Sequence, residues 1–514
     1  MPGEAGQRGE KGGSSVPEQK KLRCLLQTFG CQMNEYDSEV AAGLLEAAGY
    51  KIVQNSKTSS VIPAKAGIQS SGSPIKAFGD DKEENADVYL MNTCSVREHA
   101  EDRVYGRLGM LGKIKRENPN LIVGLMGCMV EEHREKLFKR FPSLDLMIGT
   151  RNIKELPALI DEVRRSRKQV AQIKQDGISI EYTDQIKRRG TFHAWLPIMT
   201  GCDKVCTYCI VPKTRGSEVS MPVREVYREA SRLASEGVKW ITLLGQNVNS
   251  YRGDVVQTVG ADPRVRPESK HGPAHGSAPT SVSFPQLLEM LCEIEGLDRI
   301  SFTTSHPSDA TEELFQVIAR NSKISRRFHL PLQSGSNRVL KRMKRLHTIE
   351  HYRAQIDRLR SLVPGISVTT DLISGFSGET EEDHQATLEA MRQIRFDSAF
   401  MYKYSLRPGT PAAKLKDDVT PQVKAARHAE LLALQKTITR ENRELNFGKT
   451  VTVCVEERSS RDPRRFIGRT DQDQKMVFEV GAPLVGARAC EPGDFVRARI
   501  TGLVHETYVG ESPG

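Results

Sequence analysis

The sequence predicts an α/β protein of three domains: an N-terminal doubly wound parallel sheet, a central partial (βα)6 barrel and a small C-terminal all-β barrel. Three observations predict it. The 514 residues exceed what one hydrophobic core organises. Apolar strand-like runs alternate with helical patterns in two separate blocks. From about Lys449 the pattern changes to short strands separated by turns.

Residues 1–20, MPGEAGQRGEKGGSSVPEQK, form a Gly-rich tail that lacks the apolar stretch of a signal peptide. The first block spans 21–167. Its strands are RCLLQTFG (23–30), DVYLMNTC (87–94), LIVGLMGC (121–128) and LDLMIGT (144–150), with a helix beginning near Asn34 and others between the later strands. Cys31, Cys94 and Cys128 each fall at or just past the C-terminal end of one of these strands. In an open parallel sheet those ends share one edge, where ligands bind, so three distant side chains can converge there.

A charged linker containing RRSRK and IKRRG leads to the second block, 188–446. Six strands follow, HAWLPIM, WITLLGQN, RISFTTSHP, RFHLPLQSG, ISVTTDLISGF and SAFMYKYS, with helical segments between them. The chemistry of such a barrel is expected at the strand C-termini. The third block, 447–512, carries KTVTVCVEE, RFIGRT, MVFEV and DFVRARITGLV. Two stretches, 56–82 and 253–281, are rich in Gly, Pro, Ser and His, lack apolar period and read as surface insertions.

Lys and Arg outnumber Asp and Glu by 75 to 65, a net charge of +10 that tilts toward a polyanionic partner without naming one. No stretch approaches the ~18 apolar residues of a membrane span. The expectation is a cytoplasmic protein with no membrane partner, read as a monomer. In a reducing compartment its ten cysteines are more readily metal ligands, catalytic groups or core residues than a disulfide framework.

Spacing separates these uses. Cys202, Cys206 and Cys209 form C-x3-C-x2-C directly after the first barrel strand. A tight loop of this kind supplies three thiolates to a cubane cluster and leaves one iron without a protein ligand. Structural zinc wants a fourth Cys or His at closing distance, and none follows nearby; core or disulfide roles remain the bland alternatives. Cys24, Cys292, Cys454 and Cys490 have no partner at ligand spacing and read as buried or incidental.

With Tyr208 before its last cysteine, this motif resembles the signature of the radical S-adenosylmethionine superfamily. The resemblance implies a [4Fe-4S] cluster whose open iron takes S-adenosylmethionine. Gly245, Gln246 and Asn247, at the end of the second barrel strand, occupy the place of the superfamily's cofactor-binding motif. The segments Thr28–Ser38, Asn92-Thr-Cys-Ser95 and Met126-Gly-Cys128 resemble the N-terminal domain of the methylthiotransferase family, which implies a second [4Fe-4S] cluster on Cys31, Cys94 and Cys128. Within that family, Gly30-Cys-Gln-Met-Asn-Glu-Tyr-Asp-Ser38, Cys94-Ser-Val-Arg-Glu98 and Val211-Pro-Lys-Thr-Arg-Gly216 are similar to the members that methylthiolate C2 of N6-isopentenyladenosine in tRNA. Thr200, Met221 and Ser377 depart from the family pattern. An electron donor and a sulfur source are implied partners. The alternatives are a different tRNA adenosine, a ribosomal protein, or a non-catalytic iron-sulfur regulator that binds RNA.

The C-terminal strands resemble a TRAM domain, which implies RNA contacts at Arg461, Arg464, Arg465 and Arg469, beside Arg458; without that resemblance the cluster reads equally as a solvated charged face. A second basic run, Arg338, Lys341, Arg342, Lys344 and Arg345, follows the fourth barrel strand. It reads either as a guide for a phosphate backbone or as a solvated helix face.

Overall fold

The computed structural model describes residues 21–53, 86–95, 98–173, 182–254, 281–480 and 490–512. The tail and nearly all of the two insertions lie outside the described residues.

Strands β1 (Arg23–Phe29), β2 (Lys51–Val53), β3 (Val88–Thr93), β4 (Ile122–Gly127), β5 (Leu146–Ile148) and β6 (Val170–Gln172) form one parallel sheet in the order β2-β1-β3-β4-β5-β6. Successive side chains alternate between its faces. Val88 and Leu90 pack with Ala41, Leu45, Leu156 and Ile160 on one side. Tyr89 and Met91 pack with Val104, Leu108 and Leu111 on the other. The sheet is therefore covered by the helices Gln32–Ala47 and Leu156–Ser166 on one face and Glu98–Glu117 on the other. Two edge strands escape the sequence reading: β2 and β6 are three residues each and lack a buried run. RRSRK is correspondingly not a linker. Arg164, Arg165 and Ser166 end a helix, and the chain rejoins the sheet as β6.

All strands run parallel, but the direction in which they are added to the sheet reverses at β1. The connection to β2 runs one way and the connection to β3 the other, a switch point of the kind that opens a crevice at strand C-termini. Phe29 pairs with Thr93, and Thr93 with Gly127, so β1, β3 and β4 end level with one another.

The second unit has six parallel strands in two ladders. One is β13 (Arg299–Phe302), β10 (Trp240–Leu244) and β7 (His193–Pro197); the other is β14 (Arg327–His329), β15 (Ser367–Ser374) and β16 (Ser398–Lys403). A parallel bridge, Ile300 to Ile324, joins them. The wall is thus an open barrel with a loose seam between its halves. Between β10 and β13 in the chain, β11 (Arg252–Asp254) and β12 (Ser281–Ser283) form a short antiparallel pair. Leu196, Ile241, Leu243, Ile300, Phe328 and Val368 share one apolar core with the surrounding helices.

The 24-residue helix Pro421–Glu444 leads to a closed five-stranded barrel. It comprises β17 (Thr450–Arg458), β18 (Arg465–Thr470), β19 (Lys475–Val480), β20 (Phe495–Val504) and β21 (Thr507–Ser512), closed by parallel β19–β21 pairing. Val453, Val455, Phe478, Ile500 and Tyr508 fill it. Among the described residues no helix is long and apolar enough to cross a membrane.

Candidate metal centres

The level ends of β1, β3 and β4 bring Cys31, Cys94 and Cys128 together. Cys31 caps the helix Gln32–Ala47, where backbone N–H groups favour a thiolate. Its thiol is lowered to about 5, first by a hydrogen bond with Cys94 and then, against burial, by the charge of Arg215. Cys128 opens the helix Cys128–His133, and burial pushes its thiol up against the attraction of Arg215. Gly127 permits this turn. Its φ is +99°, and a Cβ there would lie 2.5 Å from both Asn92 Oδ1 and Thr93 O.

Behind the trio lies a buried amide network. Asn34 Nδ2 donates to Asn92 Oδ1 at 2.9 Å, and Asn92 Nδ2 donates to Asn34 O at 2.8 Å and Ser38 Oγ at 3.0 Å. Asn34 Oδ1 also accepts the Cys31 N–H at 3.2 Å and faces its sulfur at 3.3 Å. Every arm of Asn34 and Asn92 has a partner, so the loop bearing Cys31 is tied to β3.

The second trio sits at the mouth of the open barrel, in the segment that joins β8 (Met199–Thr200) to its antiparallel partner β9 (Val219–Ser220). Gly201 N–H donates to Gln246 Oε1 at 2.6 Å, and Cys202 N–H to Gly216 O at 3.1 Å. Thr207 N–H reaches Met343 O at 2.9 Å, and Cys209 N–H closes a turn on Cys206 O at 3.1 Å. Backbone bonds therefore fix the loop independently of the thiols. Burial pushes Cys209 up to about 12 and raises Cys202. A bare thiolate is disfavoured there, and a thiolate facing a cation is not.

Several polar groups surround Cys206. Arg345, buried, donates from Nη1 to Cys206 Sγ at 3.5 Å and from Nη2 to Pro331 O at 2.6 Å. His306 Nε2 lies 4.0 Å from the same sulfur. Burial drives His306 to about 2 and His347 to about 3, so both rings are neutral near pH 7. Asn247 Oδ1, Ser305 Oγ, Gln333 Oε1 and Arg345 Nε are buried without a hydrogen-bond partner among the described residues. Buried polar atoms are normally paired. Unpartnered atoms in this number around three thiols fit a centre that takes a cluster and a polar cofactor.

The three residues expected to hold the cofactor divide. Gln246 is committed to the Gly201 N–H, and Gly245 packs against Met199 and lends its carbonyl to Thr304 Oγ1 at 2.5 Å. Asn247 donates to Asp309 Oδ2 at 2.7 Å and keeps one oxygen unpartnered. His306, His347 and Asp309 were not singled out from the sequence. The signal for His306 was its position just past a barrel strand.

The basic run also divides. Lys341, Arg342 and Lys344 are exposed, whereas Arg345 turns inward to Cys206 and does not belong to a solvated face. Arg338 is bonded to Asp383 and Gly378 O. On the C-terminal barrel Arg461 and Arg464 are exposed, Arg464 paired with Asp462. Arg465 pairs with Glu479 at 3.1 Å. Arg469 is only 13% exposed and is held by Glu456 at 2.8 Å and Asp473 at 3.1 Å.

Residues 196–391 match the radical SAM superfamily, 23–65 and 76–149 match Uncharacterized protein family UPF0004, and 445–504 match the TRAM domain. A tRNA-2-methylthio-N(6)-dimethylallyladenosine synthase of Pelotomaculum thermopropionicum is 41% identical over 95% of this chain and 98% of its own. One of Carboxydothermus hydrogenoformans, of the same name, is 40% identical over 89% of this chain and 93% of its own. A loose overlap, with a TM-score of 0.49 and 14% identity, relates 76% of the chain to 75% of a radical S-adenosylmethionine methyltransferase from Kitasatospora setae. The radical SAM match implies a [4Fe-4S] cluster and S-adenosylmethionine at the barrel. On full-length identity and domain order together, the chain belongs to the tRNA-2-methylthio-N6-dimethylallyladenosine synthase family, radical SAM enzymes that methylthiolate tRNA.

Proposed function

We propose that this chain replaces the C2 hydrogen of N6-isopentenyladenosine 37, on the 3′ side of the tRNA anticodon, by a methylthio group. Cys202, Cys206 and Cys209 hold one [4Fe-4S] cluster and Cys31, Cys94 and Cys128 a second. When bound, the clusters and S-adenosylmethionine supply the hydrogen-abstracting radical, the sulfur and the methyl group that this substitution needs. The observation that carries the reading is the convergence of two separate cysteine trios within a chain that matches its family over nearly its whole length.

The residues divide the work. Backbone bonds to Gln246, Gly216 and Met343 hold the second trio so that binding iron requires little rearrangement of its loop. Arg345 donates toward the sulfur of Cys206, and His306 lies beside it. Asn247, Ser305 and Gln333 offer unpartnered polar atoms to the methionine and ribose groups of the cofactor. Lys341, Arg342, Arg461, Arg464 and Arg465 are the candidates to meet the tRNA backbone. Arg469, clasped by two carboxylates, is a structural residue. An electron donor and a sulfur source act with the chain in the cytoplasm.

The test is anaerobic reconstitution with iron and sulfide, followed by reductant, S-adenosylmethionine and isopentenylated tRNA. About eight irons per chain, with 2-methylthio-N6-isopentenyladenosine in the nucleoside digest, support the reading. Deoxyadenosine without a modified nucleoside moves the substrate elsewhere. Four irons or fewer with no cofactor cleavage favours an RNA-binding regulator.

A further inference from the structure

Arg215 belongs to the segment that follows the second trio, yet its side chain reaches the first. It leaves the short helix Val211–Thr214, enters the N-terminal unit and pairs with Asp37 at 2.8 Å, each side chain 8% exposed. Asp37 lies on the helix that Cys31 caps. The helix Val211–Thr214 packs on the helix that Cys128 opens, and the same guanidinium acts electrostatically on both Cys128 and Cys31.

The backbone on either side of Arg215 is held as tightly. Arg151 Nη2 donates to Arg215 O at 3.1 Å, and Thr150 Oγ1 to Thr214 O at 3.4 Å. Gly216 O, one residue on, accepts the Cys202 N–H at 3.1 Å. One peptide unit therefore separates the side chain that holds Asp37, on the helix Cys31 caps, from the carbonyl that holds Cys202.

A buried Arg–Asp pair is weak evidence of stability in its own right, because burying both charges offsets most of their attraction. This pair stands where added negative charge is expected. Three thiolates and a cluster leave the first centre anionic, and Asp37 adds to that charge. Arg215 is the cation that acts on both Cys31 and Cys128. Hydrogen bonds and local charge at cluster sulfurs set the reduction potential, and outer partners fix ligand geometry.

We infer that Arg215 is a positioning residue for the methylthiolation: it raises the reduction potential of the first-trio cluster by its charge, and, anchored on Asp37, it fixes that cluster's separation from the second. The inference rests on the proposed assignment of both trios as cluster ligands.

The test uses the full chain with Cys202, Cys206 and Cys209 replaced by Ala, so that only the first-trio cluster is read. This parent, R215Q and R215K are reconstituted anaerobically with iron and sulfide, and the cluster's midpoint potential is followed by electron paramagnetic resonance. The expected result is about four irons in all three, a lower potential in R215Q, and a potential near the parent's in R215K, which keeps the charge. In the chain with all cysteines, both variants are expected to release more deoxyadenosine per methylthiolated nucleoside, by about tenfold or more, since small misplacements are costly to reactions between held groups.

A parent that loads no iron sinks the ligand assignment, and the inference with it. A parent that loads while R215Q and R215K match it in potential, and in the chain with all cysteines leave the deoxyadenosine ratio of the wild type unchanged, overturns the role of Arg215 alone. Should R215Q fail to load, R215K decides: an unchanged ratio overturns the inference, and a raised ratio supports it.

Discussion

Arg299 Nη1 donates to the backbone carbonyl of Thr470 at 3.0 Å, tying the central barrel to the C-terminal one. It also reaches Arg469 O at 3.2 Å, and its guanidinium lies 5.1 Å from the ring centre of Trp240 and 4.9 Å from that of Phe495. A cation held between two rings and bonded to two carbonyls fixes how the domains dock. Arg299→Ala is expected to destabilise the chain by about 3 kcal/mol, from lost charged hydrogen bonds and stacking. Urea unfolding checks the magnitude, and limited proteolysis should release the C-terminal barrel earlier than in the wild type.

Asn92 supports the first trio from behind, fully buried and bonded through both arms to Asn34 and Ser38. Asn92→Ala leaves Asn34 Nδ2 and Asn34 O short of partners at a cost of about 2 kcal/mol. Reconstituted iron is expected to fall from about eight toward about four per chain, while cofactor cleavage persists. Iron unchanged at eight would mean that the network does not shape the site.

Gly201 precedes the second trio with φ +76°, and a Cβ there would lie 1.9 Å from Ser217 O. The obstacle is backbone, so the loop itself must move. Gly201→Ala is expected to abolish cofactor cleavage and lower iron loading by about half, with far-UV circular dichroism little changed. Normal loading and cleavage would show that the loop tolerates the shift.

Much of this was legible in the sequence, for identifiable reasons. Strands β1, β3, β4 and β5 are buried on both faces and read as near-continuous apolar runs, so their ends, and the cysteines beyond them, were placed by topology alone. Strands β2 and β6 were invisible because an edge strand of three residues carries no pattern. Strand β21, TYVGES, was missed because half of it is polar, and parallel pairing with β19 gives it its place. Arg345 looked like one of five basic residues; only the folded chain turns it inward while Lys341, Arg342 and Lys344 face out. The partners Arg215 and Asp37 are 178 residues apart, a pairing no local pattern announces.

His193 lies between Trp195 and Trp240, with ring centres 4.6 and 4.7 Å away, and its Nε2 is 2.9 Å from Thr242 Oγ1. Burial drives it from 6.5 down to about 3. The folded state holds this ring neutral while the unfolded chain takes up a proton below pH 6.5. Its contribution to stability is thus intact above that pH and is lost as pH falls from 6.5 toward 3. His193→Gln should flatten the dependence of unfolding free energy on pH between 7 and 5 by about one proton. Equal slopes for variant and wild type would contradict this.

The division of labour between the two trios is tested most directly by comparing Cys206→Ala with Cys94→Ala under reducing, anaerobic conditions with S-adenosylmethionine and isopentenylated tRNA. Cys206→Ala is predicted to release no deoxyadenosine. Cys94→Ala is predicted to release it at close to the wild-type rate and yet form no methylthiolated nucleoside. Loss of cleavage to the same extent in both variants would contradict the assignment of radical formation to one trio and sulfur insertion to the other.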